Sequence, residues 1–167
     1  MKKGFTMIEL VFVIVILGIL AGIAIPRLAA TRDDASATKA AMEIKDVITQ
    51  VAAYYTINGK WAEAAVSTAG QEMINTNNQD IAAAATAQSK ALENLSATLN
   101  NVAGRAGDKW TACISITPTN TGGSILIGDK NATDSYCKTV VKVPAVDEWI
   151  KMGGKQGIIV GGSGIYK

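Results

Sequence analysis

One apolar stretch constrains this chain more than any other feature. From Phe5 to Ile25 the sequence carries a single charge, Glu9, and two lysines, Lys2 and Lys3, stand in front of it. As a helix the stretch reaches about 30 Å, the thickness of a bilayer's hydrocarbon core. A cleaved secretory signal fits poorly, because the apolar part is long and Ala24-Ile25-Pro26-Arg27 offers no small-residue cleavage site. A plain single-span anchor explains the lysines and the apolar run but has no use for Glu9. A charge inside such a segment costs about 2.5–3.5 kcal/mol by insertion scales, so it normally marks function.

The residues around Glu9 sharpen this. The chain opens Met1-Lys2-Lys3-Gly4-Phe5-Thr6-Met7-Ile8-Glu9. A short basic leader, a glycine, then phenylalanine, threonine and a glutamate in the fifth place after the glycine resemble the class III signal of type IV prepilins and pseudopilins. The resemblance covers about residues 1–35; beyond them it is one of architecture. It implies that prepilin peptidase cleaves between Gly4 and Phe5 and that Phe5 is then N-methylated. It further implies a homo-oligomeric helical filament, an assembly platform protein and ATPase, and minor pilins or pseudopilins as further partners. The subunit would cross the inner membrane once before assembly and stand in a periplasmic or cell-surface filament afterwards.

Glu9 gains a role in that setting. In a filament core of packed apolar helices a carboxylate needs a cation. The resemblance implies that the cation is the Phe5 amine of a neighbouring subunit, so that the pair sets axial register. Gly18 and Gly22 share one helix face and permit close approach of another helix. Pro26 frees the carbonyl of Gly22, which predicts a bend or loosening there. In similar pilins the segment before this proline can extend in the filament.

Charge and composition agree with a structural subunit. The whole chain has 16 basic and 14 acidic side chains, a net +2. Removal of Met1–Gly4 takes Lys2 and Lys3 with it and leaves a balanced body, which gives little reason to expect strong nucleic-acid binding. Lys130, Lys138, Lys142, Lys151, Lys155 and Lys167 make the last third mildly basic; contact with DNA is one reading, and the blunting of strand edges is preferred. The chain has no histidine, which removes the commonest general base and metal ligand. Cys113 and Cys137 read as one disulfide in an exported domain, with two buried free thiols as the alternative. Closing that loop is worth roughly 3–3.5 kcal/mol.

Beyond Pro26 the helix resumes. Ala37, Ala41, Ile44, Ile48, Val51 and Tyr55, with Val47 and Tyr54 beside them, form one buried face. Asp33, Asp34, Lys39, Glu43, Lys45 and Asp46 fall opposite, and Asn58-Gly59 predicts the helix stop. Leu92, Leu95, Leu99 and Val102 predict a second helix, preceded by Ala82–Ala85, started by Asn77, Asn78 or Asp80 and ended by Gly104. Period-two patterns predict strands over 111–117, 124–127 and 136–143, with Thr121-Gly122-Gly123 as a turn. A helical turn over 146–152 and a last strand over 157–161 follow.

The division expected is a leader (1–4), a membrane or filament-core half-helix (5–25), an amphipathic half-helix (26–57) and a globular head (58–167). The head comprises a helical connection over about 60–108 and a β-meander over about 110–167. The fold class is α+β and pilin-like: a long N-terminal helix on a small antiparallel sheet, with an additional helix in the connection.

Other motifs yield little. Gly153-Gly154-Lys155 lacks the flanking residues of a phosphate loop, since Trp149 and Gln156 stand where glycine and serine or threonine are needed. Ser163 has no histidine to activate it. These glycine clusters read as flexible turns. No cofactor is expected. The one calcium candidate is Asp129, Asn131 and Asp134, with an Asx-type turn preferred. Asn94-Leu95-Ser96 and Asn131-Ala132-Thr133 match the glycosylation triplet. No catalytic constellation emerges, so the leading reading is a filament subunit rather than an enzyme. The alternatives are a pseudopilin of a type II secretion or DNA-uptake system, and a membrane-anchored periplasmic binding domain that never polymerises.

Overall fold

The computed structural model of the chain describes residues 5–61, 67–68, 71–72, 77–84, 90–120 and 122–161. Its dominant element is α1 (Met7–Asn58), one helix of 52 residues, about 78 Å long at 1.5 Å per residue. Thr6 begins it in an extended conformation. Gly59 ends it in the left-handed region, φ 71°, with its N–H donating to the Tyr55 carbonyl at 2.7 Å. The Asn58-Gly59 stop is therefore where the sequence places it. Glycine suits that position because a Cβ there would be strained.

The two halves of α1 have different surroundings. Ala37, Ala41, Ile44, Val47, Ile48 and Val51 are buried, as predicted, and Ala40 joins them. The large apolar side chains from Phe5 to Leu28 are all exposed. The buried half carries a head made of a three-stranded antiparallel sheet and several short helices. The chain is thus α+β, with a long N-terminal helix on a small antiparallel sheet.

After α1 comes a minor ladder, β1 (Ser67–Thr68) with β2 (Gln71–Glu72), and then a single turn of helix, α2 (Ile81–Ala84). The connection continues as α3 (Lys90–Leu95) and α4 (Ala97–Ala103). Leu92, Leu95, Leu99 and Val102 are buried on the predicted face. The pattern is split at Ser96, where one helix was expected. The Ser96 hydroxyl accepts from the Leu99 N–H at 3.1 Å and donates to Gln50 Oε1 on α1 at 2.7 Å. Serine offers the backbone an alternative to helix continuation, and here that alternative is anchored to another element. Ala85, the end of the alanine run, lies outside the described residues.

The main sheet follows a short 3-10 turn at Trp110–Ala112. β3 (Ile114–Thr119) pairs antiparallel with β4 (Ser124–Asp129), Ile116 opposite Ile127. The turn between them uses Gly122 and Gly123, both at positive φ. α2 and the residues before it cover the outer edge of β3. The Ile116 N–H donates to Asp80 Oδ1 at 3.0 Å, and the Asn78 N–H donates to the Pro118 carbonyl at 2.7 Å. Trp61, fully buried, ties the top of α1 to the same strand through its indole N–H on the Thr119 carbonyl at 3.0 Å.

The third predicted strand, over 136–143, is instead a helix, α5 (Ser135–Lys142). Its valines and threonine have strand propensity, but that preference yields to context. Asp134 caps the N-terminus by accepting from the Cys137 N–H at 2.8 Å. Cys137 and Val140, three residues apart, are the buried positions, which is helical spacing, and α5 packs on α1. α6 (Pro144–Gly153) follows with proline in its first turn and is longer than the turn expected over 146–152. β5 (Ile158–Ile159) then pairs with β4, Ile158 opposite Ile125. The expected meander is thus interrupted by two helices.

Gly153 is also more than the flexible turn its sequence suggests. A Cβ there would lie 2.0 Å from the Ile127 carbonyl oxygen, so its lack of a side chain lets the end of α6 lie against β4. Gly162, Ser163 and Gly164 lie outside the described residues.

Candidate functional site

Phe5, Thr6 and Glu9 form the start of the exposed rod. Thr6 is the N-cap of α1, at φ −80° and ψ 152°. Its hydroxyl accepts from the Glu9 N–H at 3.4 Å. Glu9 reaches back, and its Oε2 accepts from both the Thr6 N–H and the Thr6 hydroxyl, each at 2.8 Å. This is a capping box, two first-turn donors satisfied reciprocally. A carboxylate in the first turn is also favoured by the helix dipole. The sequence reading counts Thr6 among the signal residues but gives it no part in starting the helix. The signal was present as Thr-x-x-Glu, inside a stretch whose hydropathy masks it.

The rod itself is left bare by the described residues of the head. The most apolar 18-residue window of α1 has a mean hydropathy of 3.0 and buries none of its residues against the head. By length and composition α1 can cross a membrane. Phe5 is 90% exposed and Ile8 77%. A Cβ built on Gly18 or Gly22 would meet nothing within 4 Å, so the face they share is open. Helix α1 continues through Pro26 without interruption, so the predicted loosening there does not break the helix in the free chain. Gly4 lies outside the described residues.

Other candidate positions have structural work. Cys113 and Cys137 are joined as a disulfide with Cα atoms 4.9 Å apart. The bridge ties the start of the sheet to α5. Asp129 Oδ1 accepts from the Asn131 N–H at 2.7 Å, with Asn131 at φ 54°, which is an Asx turn. Asp134 serves as the cap of α5. Among the described residues no group of three or more His, Cys, Asp or Glu is placed to hold a metal. Of the basic residues in the last third, Lys130 pairs with Asp80 at 2.7 Å and donates to the Thr111 carbonyl at 2.8 Å, and Lys151 pairs with Asp147 at 2.5 Å.

Glu43 departs most from its sequence reading. It was placed on the solvated face of α1, yet its side chain is only 15% exposed. Both carboxylate oxygens accept from Arg105, at 2.5 and 3.2 Å, and Oε2 also accepts from the Trp110 indole at 3.2 Å. This fork clamps the connection and the start of the sheet onto α1. The Glu43 carboxylate in turn holds the Arg105 guanidinium further into its charged form.

The comparisons bear on the rod alone. No curated protein matches the chain, and no solved structure does. Residues 1–25 match the prokaryotic N-terminal methylation motif. That span contains Gly4, Phe5, Thr6, Glu9, Gly18 and Gly22, which are the residues singled out above except for Pro26 and the head. Over its first 25 residues this chain thus matches the class III prepilin signal that type IV pilins and pseudopilins carry.

Proposed function

We propose that the chain is a structural subunit of a type IV pilus-like filament. It is inserted once in the inner membrane, cleaved between Gly4 and Phe5 by prepilin peptidase, N-methylated on Phe5 and polymerised through α1. The observation that carries this reading is the bare apolar rod with Glu9 as its one charge, on a segment that matches the methylation motif. Apolar surface of that extent is covered by lipid before assembly and by other copies afterwards. In the dry filament core the Phe5 amine of a neighbour neutralises Glu9. An assembly platform and its ATPase supply the work.

Gly18 and Gly22 let neighbouring rods approach closely. Pro26 leaves the Gly22 carbonyl without its helical partner, so the segment before it is where the rod extends on assembly. The test is Glu9→Val. The variant inserts and loses Met1–Gly4 like the wild type, but forms no fibres. Normal fibres from Glu9→Val would instead favour an anchored domain that never polymerises.

A second reading, a pseudopilin of a secretion or DNA-uptake machine, is favoured by the position of the disulfide. The bridge lies inside the head, followed by α6 and β5, rather than closing a loop at the end of the chain. Electron microscopy of a deletion strain separates the two. Loss of long surface fibres identifies a pilin; loss of an exported cargo with fibres intact identifies a pseudopilin.

A further inference from the structure

We infer that Asn131 is a glycosylation site, its side-chain amide taking an oligosaccharide from a lipid-linked donor. The inference rests on the reading above in one respect, that the head stands outside the cytoplasm. Two Asn-x-Ser/Thr triplets occur in the chain, Asn94-Leu95-Ser96 and Asn131-Ala132-Thr133. The structure treats them in opposite ways.

In such a triplet the asparagine nitrogen reacts while the enzyme holds the hydroxyl two residues on. Both side chains must therefore be offered to one pocket. Residues two apart on a helix do not face each other. Asn94 lies in α3, and Ser96 is 2% exposed. The Ser96 hydroxyl is already committed to Gln50 Oε1 at 2.7 Å and to the Leu99 N–H at 3.1 Å. Presenting this triplet would undo the contact that separates α3 from α4.

Asn131-Ala132-Thr133 lies in irregular chain between β4 and α5. Asn131 and Thr133 are exposed, while Ala132 between them packs against the core. Among the described residues no hydrogen bond engages either outer side chain; the bond to Asp129 is made by the Asn131 backbone N–H. Both ends of the loop are tied. The Lys130 N–H donates to the Cys113 carbonyl at 2.9 Å, and Asp134 caps α5. The triplet is thus displayed on a surface loop held at its base, the setting that a bulky, solvated modification needs.

Its height on the molecule suits a donor that hangs from a lipid. Ser135, next to the cap, donates to Asp33 on α1. Asp33 is only about 7–8 Å along the helix from Leu28, the end of the bare apolar run. In the reaction the Asn131 nitrogen attacks the anomeric carbon of a lipid-pyrophosphate-linked oligosaccharide. The nitrogen–carbon bond forms, the carbon–oxygen bond to pyrophosphate breaks, and its electron pair leaves with the lipid pyrophosphate. The amide proton passes to a base of the transferase.

The test is mass spectrometry of the full chain, isolated from the membranes and fibres of the cells that make it, with peptides covering both triplets. The expected result is oligosaccharide on the Asn131 peptide and an unmodified Asn94. Asn131→Gly, which keeps the φ of 54° without strain, and Thr133→Ala should each abolish the added mass. Thr133→Ser and Asn94→Gln should retain it. Asn131→Asp is carried in parallel, and an intact Cys113–Cys137 disulfide certifies that each variant has folded. An unmodified Asn131 in the native protein overturns the inference, as does sugar on Asn94 instead. Added mass that survives Asn131→Gly or Asn131→Asp but not Thr133→Ala places the sugar on the hydroxyl and overturns it too. If fibres of cleaved subunits carry no sugar, the filament reading stands and this one falls. Sugar on Asn131 of a chain that keeps Met1–Gly4 and stays monomeric supports the site and sinks the filament reading.

Discussion

The lower and upper halves of α1 are one continuous helix with two unlike surroundings. Around Ile14 every side of the helix is apolar and bare; around Ile44 one face is apolar and buried, and the other carries charge. Secondary structure does not separate them. What differs is how apolar residues are distributed around the axis. A stripe at spacings of three and four is satisfied by the chain's own head, whereas the all-round distribution is not covered by the described residues of the head. Glu9 and Glu43 repeat the contrast. Glu43 finds Arg105 and Trp110 within the same chain. Among the described residues, Glu9 accepts from Thr6, a neutral partner.

The largest test of that contrast compares equivalent truncations in the two halves. Ile44 is fully buried and Ile14 is 57% exposed. With the full chain in detergent micelles, Ile44→Ala should lower the unfolding free energy of the head by about 2–5 kcal/mol, the usual range for a deleted core side chain. Ile14→Ala should leave it within about 0.5 kcal/mol, as for other surface substitutions. Similar losses at both positions, read from chemical denaturation, would break the distinction between the halves.

The disulfide gives the next effect in size and concerns the head alone. Cys113 and Cys137 are 24 residues apart in sequence. In the chain-entropy view, replacing both by serine costs roughly 3 kcal/mol. The expected outcome is a lower melting temperature of the head with helix content over 7–28 retained, seen as a partial loss of ellipticity. Complete loss of helicity in that variant would show that the rod depends on the head after all.

How far this was legible from the sequence follows from how local each determinant is. The end of α1 at Gly59, its buried face and the Leu92–Val102 face are set by neighbours within a few residues, and each carries a periodic or capping signature. The prepilin signal is likewise contiguous. The helix over 135–142 was misread because Thr139, Val140, Val141 and Val143 alternate well enough for a strand. Only the Asp134 cap argued the other way, and the deciding contact is packing against α1, far off in the chain. Glu43 carried no local signal of its burial: Lys39, 3.9 Å away, is a surface neighbour four residues back, whereas Arg105 and Trp110 lie 62 and 67 residues away. Ser96 shows the intermediate case. Serine favours helix starts by its chemistry, but the Gln50 contact that holds the break comes from 46 residues away.

The smallest predicted effect tests the electrostatics around Glu43. Tyr136, on α5, is half-buried, and its phenol is pushed up to about 12. Burial is the main cause, and the charges of Glu43, Asp108 and Asp134 add to it, partly opposed by Arg105. An unfolded tyrosine ionises near 10. The folded state therefore holds this proton more tightly than the unfolded state does. The resulting stability is fully present below about pH 10 and is lost as the pH rises from there toward 12. Tyr136→Phe has no such proton to lose. The melting temperature of the wild type should fall more steeply than that of the variant between pH 10 and 12, with the two curves parallel below pH 9. Parallel curves across the whole range would mean that Tyr136 is as solvated as in an unfolded chain, and that the Glu43 region is more open than its contacts imply.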